Sequence, residues 1–342
     1  MRHINIPIFI PHLGCPNQCI FCNQKYISGN KDFCYENIKS DAEKEIIKVL
    51  STVKDDDFCE IAFFGGSFTG IDRTLMLDLL DIAQKYIDIG KVKGIRMSTR
   101  PDYISKEIID ILKKYTITCV ELGIQSMNDV VLTYLKRGHA SSDTERAISF
   151  LNDAKIPFVG QMMIGLPNST ADDEIYCAKR ICELGASAAR IYPTLVFKST
   201  ELEILTLDGK YIPLSCEEAV ERCAQVLKIF IDNNVSCIRI GLNDSENLHS
   251  TETFLAGPNE PSIGEMVKSK LFFNLLCDKL HNFIGKSVII ECPPGKVSQI
   301  VGNKRKNIFE LKNKFELNGI KVVENANLTQ YEIEVKEEAS CV

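Results

Sequence analysis

The sequence predicts an α/β protein, with a parallel sheet covered by helices and a smaller α+β module after it. Apolar runs bounded by glycine alternate with stretches of helical period over roughly the first 200 residues. Such repeated β-α units imply parallel strands, because a parallel pair needs a crossover connection. The 342 residues, 45% hydrophobic and 25% charged, have the composition of a globular protein with room for one large and one small domain.

The alternation defines the elements of the large domain. The predicted strands are Ile6–Pro11, Cys59–Phe64, Gly94–Ser98, Cys119–Ile124, Phe158–Ile164 and Ala188–Val196. The helices predicted between them are Asp41–Thr52, Asp72–Tyr86, Ser105–Lys114, Ala140–Ala154 and Ala171–Leu184. Six strands are too few to close an eight-stranded barrel.

Beyond Ser199 the alternation loosens. We predict a helix at Cys216–Asn233, a short strand at Cys237–Ile240 and a helix at Gly264–Phe283. About 20 aperiodic residues lie between the short strand and the last helix, and loops of that length are usually functional or disordered. We interpret them as a connector or lid near the open end of the sheet.

The end of the chain predicts a separate module. Its elements are a strand at Ser287–Glu291, a Pro-Pro-Gly break, two helices, and strands at Lys321–Val323 and Gln330–Val335. The sequence therefore divides into a first domain at 1–200, an extension of it at 201–283 and the α+β module at 284–342.

Composition bounds the class of protein. No apolar run approaches the ~20 residues that a membrane span needs, and the first residues lack the apolar segment of a signal peptide, so we expect a cytoplasmic protein. Fourteen cysteines would suggest disulfides in a small secreted domain, but without an export signal they indicate reduced thiols. The net charge of −6 means that any nucleic-acid binding must rest on a local basic patch.

Three cysteines lie within eight residues directly after the first predicted strand. Cys15, Cys19 and Cys22 have the spacing C-x3-C-x2-C. Thiolates select iron–sulfur clusters, zinc or copper(I), and a zinc site closed by cysteines normally uses two separated pairs. No second C-x2-C pair occurs, so the uneven triplet favours a cluster with one iron left open. The alternative is three cysteines that merely share a loop.

Polar or glycine-rich segments follow the next strands, at the edge where parallel sheets bind ligands. Gly65-Gly66-Ser67 follows the second strand, and glycines there let a ligand approach the backbone. Ser98 and Arg100 end the third strand before Pro101, and their hydroxyl and guanidinium groups suit a ribose and a carboxylate. An ordinary turn and an ordinary surface arginine explain the same residues.

Three further strands end in candidate residues. Gln125 lies at the tip of the fourth strand. Glu121, earlier in the same strand, would be costly to bury unless it is paired, which favours a functional role for Glu121. Gly165 and Arg190 belong to the ends of the fifth and sixth strands.

The triplet, with the aromatic Phe21 before its third cysteine, resembles the radical S-adenosylmethionine (SAM) superfamily. The resemblance implies a partial (β/α)6 barrel with its site at the C-terminal strand ends. It implies a [4Fe–4S] cluster held by Cys15, Cys19 and Cys22, with SAM on the fourth iron. It also implies cofactor contacts at Phe21, Gly65, Gly66, Ser67, Ser98, Arg100, Gln125, Gly165 and Arg190. Ser67 stands where many members have a glutamate, so that segment would act mainly through its backbone.

Longer sequence motifs narrow the resemblance to one type of protein within the superfamily. STRPDYI, VELGIQS, RGH, GLP and RIYPTLVFKSTEL, in this order, resemble the Elongator catalytic-subunit type of radical SAM protein, a tRNA-modifying enzyme. A broader similarity exists to the oxygen-independent coproporphyrinogen dehydrogenases. The Elongator subunit carries an acetyltransferase domain after its barrel, and we do not expect one within these residues, so its acetyl-CoA-dependent carboxymethylation is not assumed for this chain.

The α+β module carries a second motif. Residues 297–308 resemble the helix–GxxG–helix core of a KH RNA-binding domain, whose loop clamps the backbone of about four nucleotides. The resemblance implies RNA contacts at Gly302, Asn303, Lys304, Arg305 and Lys306, with Arg305 in place of the second glycine. Residues 296–321 hold seven basic and two acidic side chains, a local charge of +5, which would bind nucleic acid in a salt-dependent way. A solvated, lysine-rich helix face is the alternative.

The expected function is a radical SAM enzyme acting on RNA, with tRNA as its substrate and a donor such as ferredoxin or flavodoxin supplying one electron. Two alternatives stay open. One is a radical SAM enzyme acting on a small molecule such as a tetrapyrrole, and the other is a non-catalytic iron–sulfur protein that binds RNA.

Overall fold

A computed structural model describes residues 2–10, 14–15, 19–23, 37–54, 57–242, 250 and 252–338. The chain divides into two compact units, the first formed by Met1–Ser215 with Ile229–Asn259 and the second by Cys216–Lys228 with Glu260–Val342. Over the ranges just given, we find no helix with the length and apolar character needed to cross a membrane.

The first unit is built on parallel strands. In chain order its strands are β1 (His3–Phe9), β2 (Phe58–Phe64), β3 (Gly94–Thr99), β4 (Ile117–Gln125), β5 (Phe158–Ile164), β6 (Ala188–Pro193), β7 (Val196–Phe197), β8 (Ser236–Ile240) and β9 (Phe254–Ala256). Seven of them form one parallel sheet in the order β1-β2-β3-β4-β5-β6-β8, while β7 and β9 pair separately as an antiparallel ribbon. The large sheet curls into a half-barrel.

Helices connect consecutive strands. They are α1 (Ile38–Leu50), α2 (Arg73–Asp88), α3 (Lys106–Leu112), α4 (Asp129–Tyr134), α5 (Ser141–Asp153), α6 (Ala171–Glu183) and α7 (Glu201–Leu207), and α8 (Cys216–Asp232) contributes to both units. The side chains of Asp72, Ser105, Asn128, Thr170 and Thr200 each accept a hydrogen bond from a backbone N–H in the first turn. These caps satisfy amides that the helix itself leaves unpaired.

The predicted fold class is confirmed, and the predicted short strand at Cys237–Ile240 has a larger role than expected. As β8 it pairs parallel with β6 and becomes the seventh strand of the sheet. The helix α7 has no counterpart in the predictions, because Ile204 and Leu207 are apolar but exposed and obscure its helical period. Part of the predicted lid, 243–249 and 251, lies outside the described residues.

The two faces of the large sheet differ in polarity. One face is apolar and fully buried, with Ile61, Ile95, Leu122 and Ile191 all 0% exposed. The opposite face, which we call the lumen face, carries polar side chains on its central strands: Glu60, Arg96, Glu121, Gln161 and Arg190. Since successive side chains of a strand point to opposite faces, the apolar face packs while the lumen face stays available for chemistry.

The second unit is an α+β module. Its elements are α9 (Ile263–Leu280), β10 (Ser287–Cys292), α10 (Val297–Val301), α11 (Lys306–Lys314), β11 (Gly319–Glu324) and β12 (Glu334–Glu337). The sheet order is β11-β10-β12, with β10 parallel to β11 and antiparallel to β12. Buried Phe272, Leu276, Ile290, Ile300 and Leu311 form its core.

The last strand begins later than the predicted Gln330–Val335. Thr329 donates its backbone N–H and its hydroxyl to the Glu332 carboxylate at 2.8 and 3.0 Å, and the Glu332 N–H returns to the Thr329 carbonyl at 2.7 Å. These bonds hold a turn through residue 332, so pairing with β10 starts only at Glu334.

Candidate active site at the C-terminal strand ends

The cysteine triplet lies just beyond the end of β1. Cys19 is buried, and Cys15 and Cys22 are partly buried. The Cys22 N–H donates to the Cys19 carbonyl at 3.0 Å, which folds the segment into a tight turn. Burial and the neighbouring Cys19 and Cys15 raise the pKa of Cys22 to about 12, while Arg137 opposes them. The three sulfurs are therefore close enough to interact, and a bound cation would be needed to hold Cys22 as a thiolate.

Glycine packing positions Cys15. Gly14 has φ +76, and a Cβ there would lie 2.2 Å from the Ser67 carbonyl oxygen. A Cβ on Gly70 would lie 2.7 Å from the Gly14 carbonyl. Only glycine fits this backbone-to-backbone contact. It brings Cys15 Sγ to 3.4 Å from the hydroxyl of buried Ser67, so the first cysteine and the Gly65-Gly66-Ser67 segment meet in space.

Arg137 approaches the second cysteine from the loop after α4. Its Nη1 donates to Cys19 Sγ at 3.4 Å and its Nη2 to the Gly123 carbonyl at 2.6 Å. The cysteine segment is tied to the same loop by the bond from the Ile20 N–H to the Leu135 carbonyl, 3.2 Å. Arg137 Nε is buried and finds no partner in the described part of the chain.

A second buried arginine, Arg100, follows β3. Its Nε and Nη2 donate to the two Asp102 oxygens at 2.9 and 2.8 Å. Cys15 and Cys19 lie within electrostatic range of this guanidinium. Its Nη1 is buried with no hydrogen-bond partner among the residues that the structure describes. One donor of this arginine is thus left without a described partner near Cys15 and Cys19.

His139 lies behind the two arginines. Its Nδ1 is 3.9 Å from the Asp102 carboxylate. Burial, together with the nearby Arg137 and Arg100, lowers the pKa of His139 to about 3. The ring is therefore neutral and adds no third positive charge to the site.

The remaining predicted cofactor residues line the rim in different ways. Gln125 has φ 65 at an irregularity in the pairing of β4 with β5, and its Oε1 is a buried acceptor without a partner in the described ranges. Gly165 has both backbone groups engaged: its N–H donates to Glu174 at 2.6 Å and its carbonyl accepts from the Tyr211 hydroxyl at 2.6 Å. Phe21 packs with Ile20 against an apolar cluster.

Arg190 lies deeper, on the lumen face. Its Nη2 donates to Glu121 Oε1 at 2.6 Å, and the same carboxylate accepts from Arg96 Nη1 at 3.1 Å and from Gln161 Nε2 at 2.7 Å. Glu121 is 0% exposed, and such a charge is tolerated only because it is paired and hydrogen-bonded. Ser98 lies in register with Glu121.

The structure thus groups the cysteines with Ser67 and Arg100 at the rim. Gln125 lies near Gly123 at the end of β4, and Arg190 and Ser98 lie below the rim. The predictions gave no role to Arg137 or His139, although both belong to the RGH string. An arginine and a histidine flanking a glycine directly after a helix were the available signal, but Cys19, the partner of Arg137, is 118 residues away in the chain.

Comparisons with known proteins agree with this geometry. The Radical SAM superfamily model matches residues 9–178 and the Radical_SAM C-terminal domain model matches residues 186–272, together more than half of the chain. The chain belongs to the radical SAM superfamily.

Its relatives include Elongator-type proteins. It is 34% identical over 147 residues to the tRNA uridine(34) acetyltransferase of Methanocaldococcus infernus, covering 42% of this chain and 28% of that protein. It is 32% identical over 193 residues to Elongator complex protein 3 of Saccharomyces cerevisiae, covering 51% and 35%. An uncharacterized protein of Methanocaldococcus jannaschii is 32% identical over 216 residues, 60% of this chain and 65% of that protein. The chain therefore spans less than two thirds of each of these relatives.

Solved structures share the fold. The archaeal Methanocaldococcus infernus Elp3 superposes with a TM-score of 0.59 at 22% identity, covering 81% of this chain and 63% of that one. Streptococcus suis SuiB bound to S-adenosylmethionine gives 0.52 at 13% identity, covering 72% and 52%. The predicted Elongator-like resemblance is confirmed as a similarity of sequence and fold.

The family uses a [4Fe–4S] cluster and S-adenosylmethionine, and the residues present fit both. In the described part of the chain, no three His, Cys, Asp or Glu side chains converge on a single point, as one metal ion would require. Cysteines of a cluster each bind a different iron and need not converge. In the described ranges, Arg100 Nη1, Arg137 Nε and Gln125 Oε1 have no hydrogen-bond partner. Both arginines lie near the thiols, and these unpartnered atoms suit the carboxylate and the polar groups of an amino-acid-bearing cofactor.

Proposed function

We propose that this chain is a radical SAM enzyme that modifies RNA, with tRNA as the substrate class. The observation that carries the enzymatic part is the grouping of three thiols with two buried arginines, whose Arg100 Nη1 and Arg137 Nε donors find no partner among the described residues. Buried donors without partners cost about 1–3 kcal/mol each, and a bound anionic group removes that cost.

Each rim residue has a distinct part in this proposal. Cys15, Cys19 and Cys22 would hold three irons of the cluster. Arg100 and Arg137 would bind the cofactor carboxylate, the first oriented by Asp102 and the second by the Gly123 carbonyl. When bound, cluster and cofactor supply reductive cleavage of a sulfonium, which gives an organic radical able to remove hydrogen from carbon. The apolar cluster around Phe21 would exclude water from that chemistry.

The RNA part is supported by the names of the relatives and by the second unit. The segment Gly302–Arg305 joins α10 to α11, and it exposes Lys304 and Arg305. Neither side chain has an ion pair or hydrogen bond within the described residues. Unpaired, exposed basic groups on one loop are available to phosphates.

The loop is held from beneath by Asn307. Its Nδ2 donates to the Gln299 and Ile300 carbonyls at 3.3 and 3.1 Å and to Ser269 Oγ at 3.0 Å. A Cβ on Gly302 would lie 2.8 Å from Asn307 Cγ, so glycine is required there. These contacts tie the start of α11 to the end of α10, and we propose the loop between them as a KH-like clamp for an RNA backbone.

The test begins with anaerobic reconstitution of the full chain. We expect iron and sulfide in the protein, 5′-deoxyadenosine when SAM and a reductant are added, and loss of both in the Cys15→Ala variant. Zinc in place of iron and sulfide would contradict the proposal. Gel shifts with bulk tRNA at two salt concentrations test the substrate class. Cofactor cleavage without tRNA binding would instead favour a small-molecule substrate.

A separate variant tests whether the proposed KH-like clamp binds RNA. Replacing Lys304, Arg305 and Lys306 with alanine should weaken tRNA binding at least tenfold and lower its salt dependence, since fewer counterions are released. The matched control replaces Lys39 with alanine, an exposed lysine of the first unit, and should bind as the unaltered chain does. Equal affinity in both variants would remove the RNA assignment from this loop.

A further inference from the structure

The lumen face carries more positive than negative charge near β6 and β8. Glu121 is shared by Arg96 and Arg190, and Glu60 is shared by Arg96 and His3. Arg239 on β8 adds a further cation, and the described residues provide it with no carboxylate within ion-pair distance. Within the described ranges, one guanidinium of the lumen face thus has no counter-ion of its own.

Register places Arg239 beside Arg190. The pairing of β5, β6 and β8 aligns Gln161 with Arg190 and Arg190 with Arg239. Residues in register on neighbouring strands point to the same face. Gly123 belongs to the same row, and its carbonyl accepts from Arg137. The row therefore runs directly beneath the rim site.

Tyr192 completes the group from the next position on the same face. Arg190 Nη1 donates to the Tyr192 hydroxyl at 3.4 Å. Burial raises the pKa of Tyr192, and the positive charges of Arg190 and Arg239 oppose this shift. Arg239 is therefore in electrostatic range of the hydroxyl. Arg190 Nε is buried and has no partner within the described ranges, so Arg190 keeps an unused donor beside the phenol, and the charge of Arg239 lies close to both.

We propose that Arg190, Tyr192 and Arg239 form an oxyanion site on the lumen face, which holds a carboxylate or phosphate group of the substrate below the cofactor. The inference rests on the proposed function, because it assigns to that enzyme the part of its substrate that enters the sheet. Two adjacent guanidiniums, of which Arg190 already shares Glu121 with Arg96, match the charge and fork geometry of such an oxyanion. A nucleotide phosphate and the carboxylate of a small organic acid are the two sources of this chemistry.

Isothermal titration calorimetry on the full chain tests the site with four probes: inorganic phosphate, uridine 5′-monophosphate, acetate and neutral uridine. We expect saturable binding of at least one oxyanion. The R239Q variant should bind it about 10- to 100-fold more weakly, the range for losing a hydrogen bond to a charged group. R239K should lose less. R146Q removes a positive charge from exposed Arg146 on α5 and should match the unaltered chain.

The four probes also distinguish a nucleotide phosphate from the carboxylate of a small organic acid as the bound group. Binding of phosphate and uridine 5′-monophosphate without acetate supports a nucleotide phosphate, and binding of acetate alone supports a carboxylate. Equal binding of uridine and its monophosphate, no saturable binding of any oxyanion, or unchanged binding in R239Q overturns the proposal. If R239Q does not fold, as judged by circular dichroism, Y192F replaces it, with an expected loss of about 2- to 10-fold.

Cofactor cleavage by the unaltered chain is measured in parallel, so that the two proposals fail separately. Cofactor cleavage without oxyanion binding would contradict only the proposed oxyanion site on the lumen face. Oxyanion binding without cleavage removes the proposed enzymatic function and leaves an anion site on the sheet.

Discussion

Replacing Gly14 with alanine should prevent the cysteine segment from holding its cluster. A new Cβ at φ +76 would lie 2.2 Å from the Ser67 carbonyl oxygen and 2.8 Å from the backbone of Gly70 and Ile71. All three obstacles are backbone atoms, so no side-chain rotation relieves them. The left-handed conformation adds about 1–2 kcal/mol of strain for any residue with a Cβ.

The size of the resulting shift follows from the same contacts. Ordinary contact begins at 3.4 Å, so the two segments must separate by roughly 1 Å before the strain ends. Cys15 is the next residue, and its sulfur lies only 3.4 Å from Ser67 Oγ. A misplacement of about 1 Å can cost about 100-fold in catalysis. We therefore expect at most a small fraction of normal cluster content and at least a 100-fold loss of 5′-deoxyadenosine formation.

Gly90 offers a matched control for the backbone strain. It has φ +75, and a Cβ there would meet nothing within 4 Å. G90A thus carries the same conformational cost without the clash. Iron and sulfide analysis and the cluster absorbance of G14A, G90A and the unaltered chain make the comparison. If G14A binds as much iron as G90A does, the close packing of the cysteine segment on the Gly65–Gly70 segment does not control cluster binding.

Three further predictions follow from charged and strained groups. His139 has a pKa of about 3 in the folded protein, whereas an unperturbed histidine has a pKa of 6.5. Because the unfolded chain therefore takes up the proton first, the free energy of unfolding falls by about 1.4 kcal/mol per pH unit below pH 6.5. Urea unfolding at pH 6.5 and 5.5 should show a smaller loss of stability in H139Q than in the unaltered chain, and an equal loss would contradict the low pKa of His139. Glu121→Gln should lower the free energy of unfolding by about 3–5 kcal/mol in the same assay, because Arg96 and Arg190 lose their shared buried counter-ion. The control, exposed Glu183→Gln, should lower it by less than about 1 kcal/mol. Equal losses would show that solvent screens the buried network. Arg305 has φ 63, so Arg305→Gly should change the free energy of unfolding by less than about 1 kcal/mol, because relief of backbone strain offsets the added freedom of the unfolded chain. The slope of the logarithm of the RNA-binding constant against the logarithm of salt concentration should fall in magnitude by about 0.7. An unchanged slope would exclude a phosphate contact at this side chain.

Much of the fold was predictable because its signals are local. Strand β5 and helix α6 begin at the predicted residues, Phe158 and Ala171, since apolar runs and helical periods are read over short windows. The cysteine spacing likewise indicates the cluster, because all three thiols lie within one short segment of the chain. The last strand was misplaced because a turn held by Thr329 and Glu332 delays it.

The sequence by itself determined the order of strands and helices, the cysteine triplet and the glycine positions, because each depends on neighbouring residues. Only the tertiary structure decided which distant residues meet. Arg137 contacts Cys19 across 118 positions, Arg190 contacts Glu121 across 69, and Arg239 enters the lumen face only because β8 pairs with β6. Such contacts arise from strand register and crossover packing, which leave no periodic trace in one sequence.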